Sequence, residues 1–239
     1  MAEYVLITGG SLNIGAAITQ RALEDGYRPI VLDVSDPEVE GDVEFHRVDL
    51  GDLEATEALL RHLVQERNIT RLVNNVGVVR PGSLGELDFK DFETVMNLNL
   101  RTAILCAQML LPGMRQAGFG RIVNTASRTV LGKEKRSFYA ASKAGLTAAV
   151  RTWALELAAD GITANVVAPG SIATTAFHRN NPPDDPQTKA IIDAIPAKRI
   201  GTPEDVAQAV SFFLDAASGF VNGQVLYVCG GLTVGRAPV

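Results

Sequence analysis

The chain has 239 residues, 46% hydrophobic and 21% charged, a composition that excludes a disordered or low-complexity protein. Its net charge of −5 speaks against nucleic acid as a main partner, because phosphate recognition needs clustered Lys and Arg. No apolar run approaches the roughly 20 residues that span a bilayer. The start lacks the basic and long apolar regions of a signal peptide, so a cytoplasmic protein with no membrane partner is expected. Cys106 and Cys229 follow no metal-ligand spacing and read as small buried residues, and no metal site is expected.

In chain order, short β-branched runs alternate with helical segments. Strands are predicted at 4–8, 28–33, 43–48, 71–74, 120–125, 162–167 and 224–228. Helices are predicted at 14–25, where Gly26 marks the end, at 53–67, at 88–114 with a break near 97–99, at 138–159 and at 203–214. Continuous apolar strands separated by helices indicate a parallel sheet covered on both faces. The expectation is α/β: a single doubly wound Rossmann-type domain over 1–239, with a seven-stranded parallel sheet and helices on both faces. Segments 100–111 and 140–157 are apolar or small on nearly every face. A helix apolar all round is buried all round, which predicts a subunit interface and a homotetramer or homodimer.

Three features carry chemistry. Thr8-Gly9-Gly10-Ser11-Leu12-Asn13-Ile14-Gly15 lies between the first strand and the first helix, where glycines let a backbone approach a pyrophosphate at a helix N-terminus. Asn13 stands where another glycine is expected, and Asn tolerates the left-handed region better than other side chains. Asp33 ends the second strand, where a carboxylate accepts hydrogen bonds from an adenosine ribose and repels a 2′-phosphate. No Lys or Arg lies within 9–15 or just after Asp33, so the expected cofactor is NAD rather than NADP. Tyr139 and Lys143, four apart, share a helix face. A phenol is a poor acid or base at neutral pH, and a neighbouring ammonium favours its ionised form.

With these features the chain resembles the classical short-chain dehydrogenase/reductase family over nearly its full length. Thr8 to Gly15 is similar to that family's TGxxxGxG loop, with Asn13 replacing the middle glycine; Gly9, Ser11, Ile14 and Gly15 are its other cofactor candidates. Asp49-Leu50 resembles the pair that holds the adenine ring. Asn74-Asn75-Val76-Gly77 resembles the NNAG motif, nominating Asn75 and Gly77. Asn99 aligns with the active-site asparagine, Ser127 closes the Asn124-Thr125-Ala126-Ser127 segment, Tyr139 and Lys143 form the YxxxK motif, and Pro169-Gly170 is the PG motif.

The resemblance implies hydride transfer between a nicotinamide and a carbonyl or carbinol carbon. Tyr139 then exchanges the proton, Ser127 hydrogen-bonds the substrate oxygen, Lys143 lowers the tyrosine pKa and holds the nicotinamide ribose, and Asn99 fixes a relay water. Ala126 is the rival to Ser127 by its spacing from Tyr139, and it has no hydroxyl. Ile172 could offer its backbone to the carboxamide and Thr174 its hydroxyl to the carboxamide or a phosphate, with Thr175 a close rival. Residues 176–198, rich in Pro, Asp and Asn, fit a lid over substrate. Arg128, Lys133, Lys135 and Arg136 lie between Ser127 and Tyr139, and His178 and Arg179 in the lid; they suit either an anionic substrate or a solvated loop. The expected activity is NAD-dependent interconversion of a secondary alcohol and a ketone. A 3-oxoacyl-acyl-carrier-protein reductase is the rival enzyme, and a silent dinucleotide sensor the rival of another class.

Overall fold

The computed structural model describes residues 3–235. Seven strands form one parallel sheet: β1 (Tyr4–Thr8), β2 (Arg28–Asp33), β3 (Glu44–Arg47), β4 (Ile69–Asn74), β5 (Gly120–Thr125), β6 (Ile162–Pro169) and β7 (Val225–Val228). Their order is β3-β2-β1-β4-β5-β6-β7. The chain therefore starts in mid-sheet, runs out to β3, and returns to the other side of β1 at β4. That reversal leaves a crevice beyond the carboxyl ends of β1 and β4, where open α/β sheets bind ligands.

Side chains alternate across a strand, so successive residues serve opposite faces. Leu6, Leu72, Ile122 and Val166 face one core with Leu60, Leu63, Leu110, Met114 and Val150. Val5, Ile7, Val73, Val123 and Val167 face the other, with Ile18, Val206, Val210 and Phe213. The first core lies under helices α2 (Leu53–Glu66), α4 (Thr102–Ala117) and α5 (Ser137–Leu157), the second under α1 (Asn13–Glu24) and α8 (Pro203–Leu214). Burial on both faces is why these strands read as unbroken apolar runs. Helix starts follow capping chemistry: the Asp52 carboxylate accepts from Ala55 N–H to open α2, and Thr202 with Asp205 forms a capping box at α8.

Strand β4 begins two residues before its predicted start, and β6 runs on to Pro169. The predicted break near 97–99 is a π-helical stretch, Asn97–Arg101, joining α3 (Phe89–Met96) to α4. The α4 helix passes through Pro112 and ends at Gly118, whose φ of 60° is left-handed. Two helices were not foreseen in 176–198: α6 (Thr175–Asn180) and α7 (Pro186–Ala194). Their short length and polar composition hide the 3.6-residue period. Cys106 is buried as expected, but Cys229 is only half-buried, since it lies in the turn just after β7.

Two charged strand residues are buried where apolar ones are the rule. Arg71 and Arg121 face each other across β4 and β5 with the Phe119 ring 4.8 and 4.3 Å from their guanidinium carbons. The Arg71 Nε donates to Leu214 O at 3.0 Å, and Arg121 donates to Asp215 O and Ala216 O at 3.2 and 3.1 Å. The pair thus satisfies the carbonyls left open at the end of α8, while stacking offsets part of its desolvation.

Candidate active site

The Gly-rich turn connects β1 to α1 in the crevice. Gly9 adopts φ +64° and Asn13 φ +50°, so Asn13 occupies the left-handed region that its side chain tolerates. Asn13 also does what a glycine cannot: its Oδ1 accepts from both the backbone N–H and the hydroxyl of Thr175, at 2.7 and 3.0 Å. The turn is thereby joined to the first residue of α6. Thr174 uses its hydroxyl to accept from Phe177 N–H at 3.1 Å and cap α6, so the two rival threonines have separate partners. Ile172, buried, is paired to Gly201 at the base of the same segment.

Asp33 is fixed by the backbone. Its Oδ2 accepts from Ser11 N–H at 3.0 Å, and its Oδ1 from Val34 and Ser35 N–H at 2.7 and 3.2 Å. Sequence reading missed one neighbour. Arg47 is the β3 residue paired with Asp33, and its guanidinium bonds Val34 O and the Asp36 carboxylate. A cation distant in sequence therefore stands beside the loop after Asp33, and only the β2–β3 register could have revealed it. That cation already has a carboxylate partner.

On the far side of the turn, Asn75 donates through Nδ2 to Gly9 O at 2.8 Å and through its backbone to the Thr8 hydroxyl at 3.1 Å. Asp49 is exposed and accepts from Gly51 N–H at 2.8 Å, while Leu50 is buried and its carbonyl accepts from the Thr102 hydroxyl. Gly170 follows Pro169 at the end of β6, where a side chain would strike the Cys229 backbone at 2.8 Å. These residues form a cradle suited to a dinucleotide on two observations of the chain itself. At Gly9 and Gly15 an added Cβ would fall 2.9 Å from Val76 Cα and 1.8 Å from Gly9 O, so only glycine keeps the turn open. Ser11 Oγ is buried in it with no hydrogen-bond partner.

Four polar side chains meet at the carboxyl end of the sheet. Lys143 is buried, and its Nζ donates to Thr125 O at 2.7 Å, 5.9 Å from the Tyr139 ring centroid. Asn99, buried on the π-helical stretch, donates to Val78 O and to the Ser142 hydroxyl, both at 3.0 Å, and accepts from Val78 N–H at 2.8 Å. Gly77 lies against both: a Cβ there would come 3.3 Å from Asn99 Oδ1 and from Lys143 Nζ. Ser127 Oγ accepts from Thr129 N–H at 3.2 Å, and its hydroxyl acts to lower the Tyr139 pKa. Ala126 is buried and has no hydroxyl, which leaves Ser127 as the candidate that acts on the phenol.

Burial acts on both members of the tyrosine–lysine pair. Burial raises the Tyr139 pKa above its ordinary value, and the Ser127 hydrogen bond and the Arg136 charge oppose that rise. Burial also lowers the Lys143 pKa from 10.5 to about 8. Above about 8 the folded lysine has lost its proton while the unfolded one keeps it up to 10.5, so stability rises with pH across that interval. A Lys143→Met variant of the protein without added cofactor is expected to lack this rise. Urea midpoints at pH 7.5 and 10 check it; equal gains in both proteins would refute it.

Among the described residues, no helix is long and apolar enough to cross a membrane, and no group of three or more His, Cys, Asp or Glu could hold a metal.

The chain is similar to known proteins over nearly its full length. A family model described as Enoyl-(Acyl carrier protein) reductase matches residues 10–233. The chain is 37% identical over 240 residues to the (2S)-[(R)-hydroxy(phenyl)methyl]succinyl-CoA dehydrogenase subunit BbsD of Thauera aromatica, covering 96% of each chain. It is 34% identical over 244 residues to a Thermotoga maritima 3-oxoacyl-acyl-carrier-protein reductase, covering 97% of this chain and 98% of that one. Among solved structures, a Beutenbergia cavernae protein assigned as an NAD(P)-dependent gluconate 5-dehydrogenase, with bound NADP at low occupancy, superposes with a TM-score of 0.91. It is 31% identical, with 98% of each chain covered.

Proposed function

The chain belongs to the short-chain dehydrogenase/reductase family of oxidoreductases, and on that premise we propose that it interconverts a secondary alcohol and a ketone with NAD. A bound nicotinamide dinucleotide supplies the hydride chemistry. Gly9, Ser11, Asn13, Ile14, Gly15, Asp33, Asp49, Leu50, Asn75, Gly77, Pro169, Gly170, Ile172 and Thr174 hold it in this proposal, together with Tyr139 and Lys143.

Tyr139 gives a proton to the carbonyl oxygen in reduction and takes it from the hydroxyl in oxidation. Ser127 donates to the same oxygen and stabilises its developing charge. Lys143, buried and freed of its proton near pH 8, accepts and returns protons on behalf of Tyr139. Asn99 holds the Val78 segment and Ser142 in place around that path. The observation that carries the reading is the meeting of Ser127, Tyr139, Lys143 and Asn99 at the strand ends beside the Gly-rich turn.

The choice of NAD rests on Asp33, whose fixed carboxylate faces the loop where a 2′-phosphate would have to lie, with Arg47 neutralised by Asp36. Expected kcat/KM is at least about tenfold higher with NAD than with NADP, and Asp33→Ala narrows the gap. Equal or better turnover with NADP would refute it. The acyl-carrier-protein reductase reading is favoured by the Thermotoga relative, and an NADPH-driven reduction of a 3-oxoacyl thioester would decide for it.

We propose a cytoplasmic homotetramer, or a homodimer. Leu155 on α5 is 86% exposed, and Phe212 on α8, Phe220 after it and Leu226 on β7 are exposed as well. Contacts between copies of the chain would bury them.

A further inference from the structure

Helix α6 is hydrogen-bonded to the body of the fold through one side chain. None of its residues, Thr175–Asn180, is buried, so packing does not fix it. Among the described residues, its hydrogen bonds stay within 174–181 with two exceptions. Those two are the bonds from Thr175 N–H and the Thr175 hydroxyl to Asn13 Oδ1, at 2.7 and 3.0 Å. The elements on either side are held differently. Before α6, Ile172 is buried and bridged to Gly201, and Ala173 N–H donates to Gly201 O at 2.8 Å. After it, Thr188 on α7 and Ile195 are buried. A short exposed helix between two anchored elements is the part of such a segment that opens most easily.

The first amides of a helix have no partner inside it. Thr174 satisfies Phe177 N–H from the adjacent position, whereas Asn13 satisfies Thr175 N–H from 162 positions away. Asn13 holds a left-handed φ of 50°, which suits glycine better than any side chain. The amide at this position therefore costs the Gly-rich turn something and gives α6 its tie in return.

We propose that Asn13 and Thr175 form a clasp that closes α6 over the cofactor crevice, making Asn13 a positioning residue that sets how fast a nicotinamide dinucleotide leaves. This rests on the reading of the Gly-rich turn as the dinucleotide cradle. The clasp runs from that turn to the start of the helix, so the exit from the turn is covered while the two bonds are made. Individual hydrogen bonds contribute modestly, and two at an exposed site keep α6 down for most of the time yet let it open in each catalytic cycle.

Asn13→Gly tests the clasp without straining the turn, because glycine adopts the same φ freely. Thr175→Val removes the hydroxyl bond alone, and Thr175→Ser keeps both bonds. Stopped-flow NADH fluorescence with the full-length protein is expected to show release about tenfold faster in Asn13→Gly and about threefold faster in Thr175→Val. Thr175→Ser releases at the wild-type rate, association stays within about twofold in all three, and the double variant releases no faster than Asn13→Gly. Unaltered release in Asn13→Gly overturns the proposal, as does faster association with unaltered release, which would make the clasp a barrier to entry. Thr175→Ser releasing as fast as Thr175→Val overturns it too.

Trypsin digestion of the protein without added dinucleotide tests the clasp apart from the cradle. Cleavage after Arg179 on α6 is expected to be about tenfold faster in Asn13→Gly, with cleavage after Lys189 on α7 unchanged. Equal cleavage after Arg179 in both proteins overturns the clasp. Faster cleavage there, in a protein whose wild type binds neither NADH nor NADPH, refutes the cradle reading and leaves the clasp itself standing.

Discussion

Replacing Tyr139 with Phe is expected to lower kcat by about 10²–10⁴ while NADH still binds, because the change removes one hydroxyl and keeps the ring. The ring keeps its place at the N-terminal end of α5, next to Phe138, which packs against Phe89 and Phe92. What is lost is the proton donor and acceptor whose pKa Ser127 lowers. The pH profiles should follow. Oxidation needs the ionised phenol, and burial raises the Tyr139 pKa, so kcat/KM for oxidation rises toward alkaline pH and that for reduction falls. Ser127→Ala removes a hydroxyl that lowers this pKa, and so moves the profile further up in pH. Steady-state rates in both directions, with NADH fluorescence titration of the variant, check the set. A Tyr139→Phe enzyme of wild-type kcat would remove the proposed chemistry altogether.

Gly15→Ala is expected to weaken NAD(H) binding by about a hundredfold and to cost about 1–3 kcal/mol of stability. The new Cβ would lie 1.8 Å from Gly9 O and 2.8 Å from Gly9 C, so the turn has to move. Gly9 has little freedom to retreat. Its N–H donates to Leu32 O at 2.8 Å, its carbonyl accepts from Asn75 Nδ2, and a side chain at Gly9 itself would meet Val76 Cα at 2.9 Å. Any shift spreads into β2 and the segment after β4, which together form the crevice. Gly85→Ala is the control, since nothing lies within 4 Å of its would-be Cβ and its φ is not left-handed. Cofactor titration and urea denaturation of both variants check the contrast; undiminished affinity in Gly15→Ala would show that the turn does not hold the dinucleotide.

Much of the fold is legible because burial on both sheet faces writes itself into the chain as unbroken apolar strands such as 162–167. Motif residues at the strand ends were legible for a related reason: a turn that must approach a pyrophosphate requires glycine, and Gly9 and Gly15 meet backbone where any side chain would. Helices α6 and α7 were not legible, since short polar helices carry little periodicity, and Asp185 and Thr174 cap them through contacts that look like ordinary turn chemistry.

By itself the sequence determined the order and type of the main elements and the parallel sheet, because these depend on local period; spacing nominated Tyr139 and Lys143, and the family resemblance added Ser127 and Asn99 to the candidate machinery. The partners of those residues were decided only by the tertiary structure. Lys143 donates to Thr125 O, Asn13 joins the Gly-rich turn to Thr175, and Arg47 reaches Asp36 beside Asp33. The physical reason is common to all three. A hydrogen bond or ion pair is set by which strand ends and loops lie side by side, and sheet register brings together residues that the chain separates by 11, 18 or 162 positions.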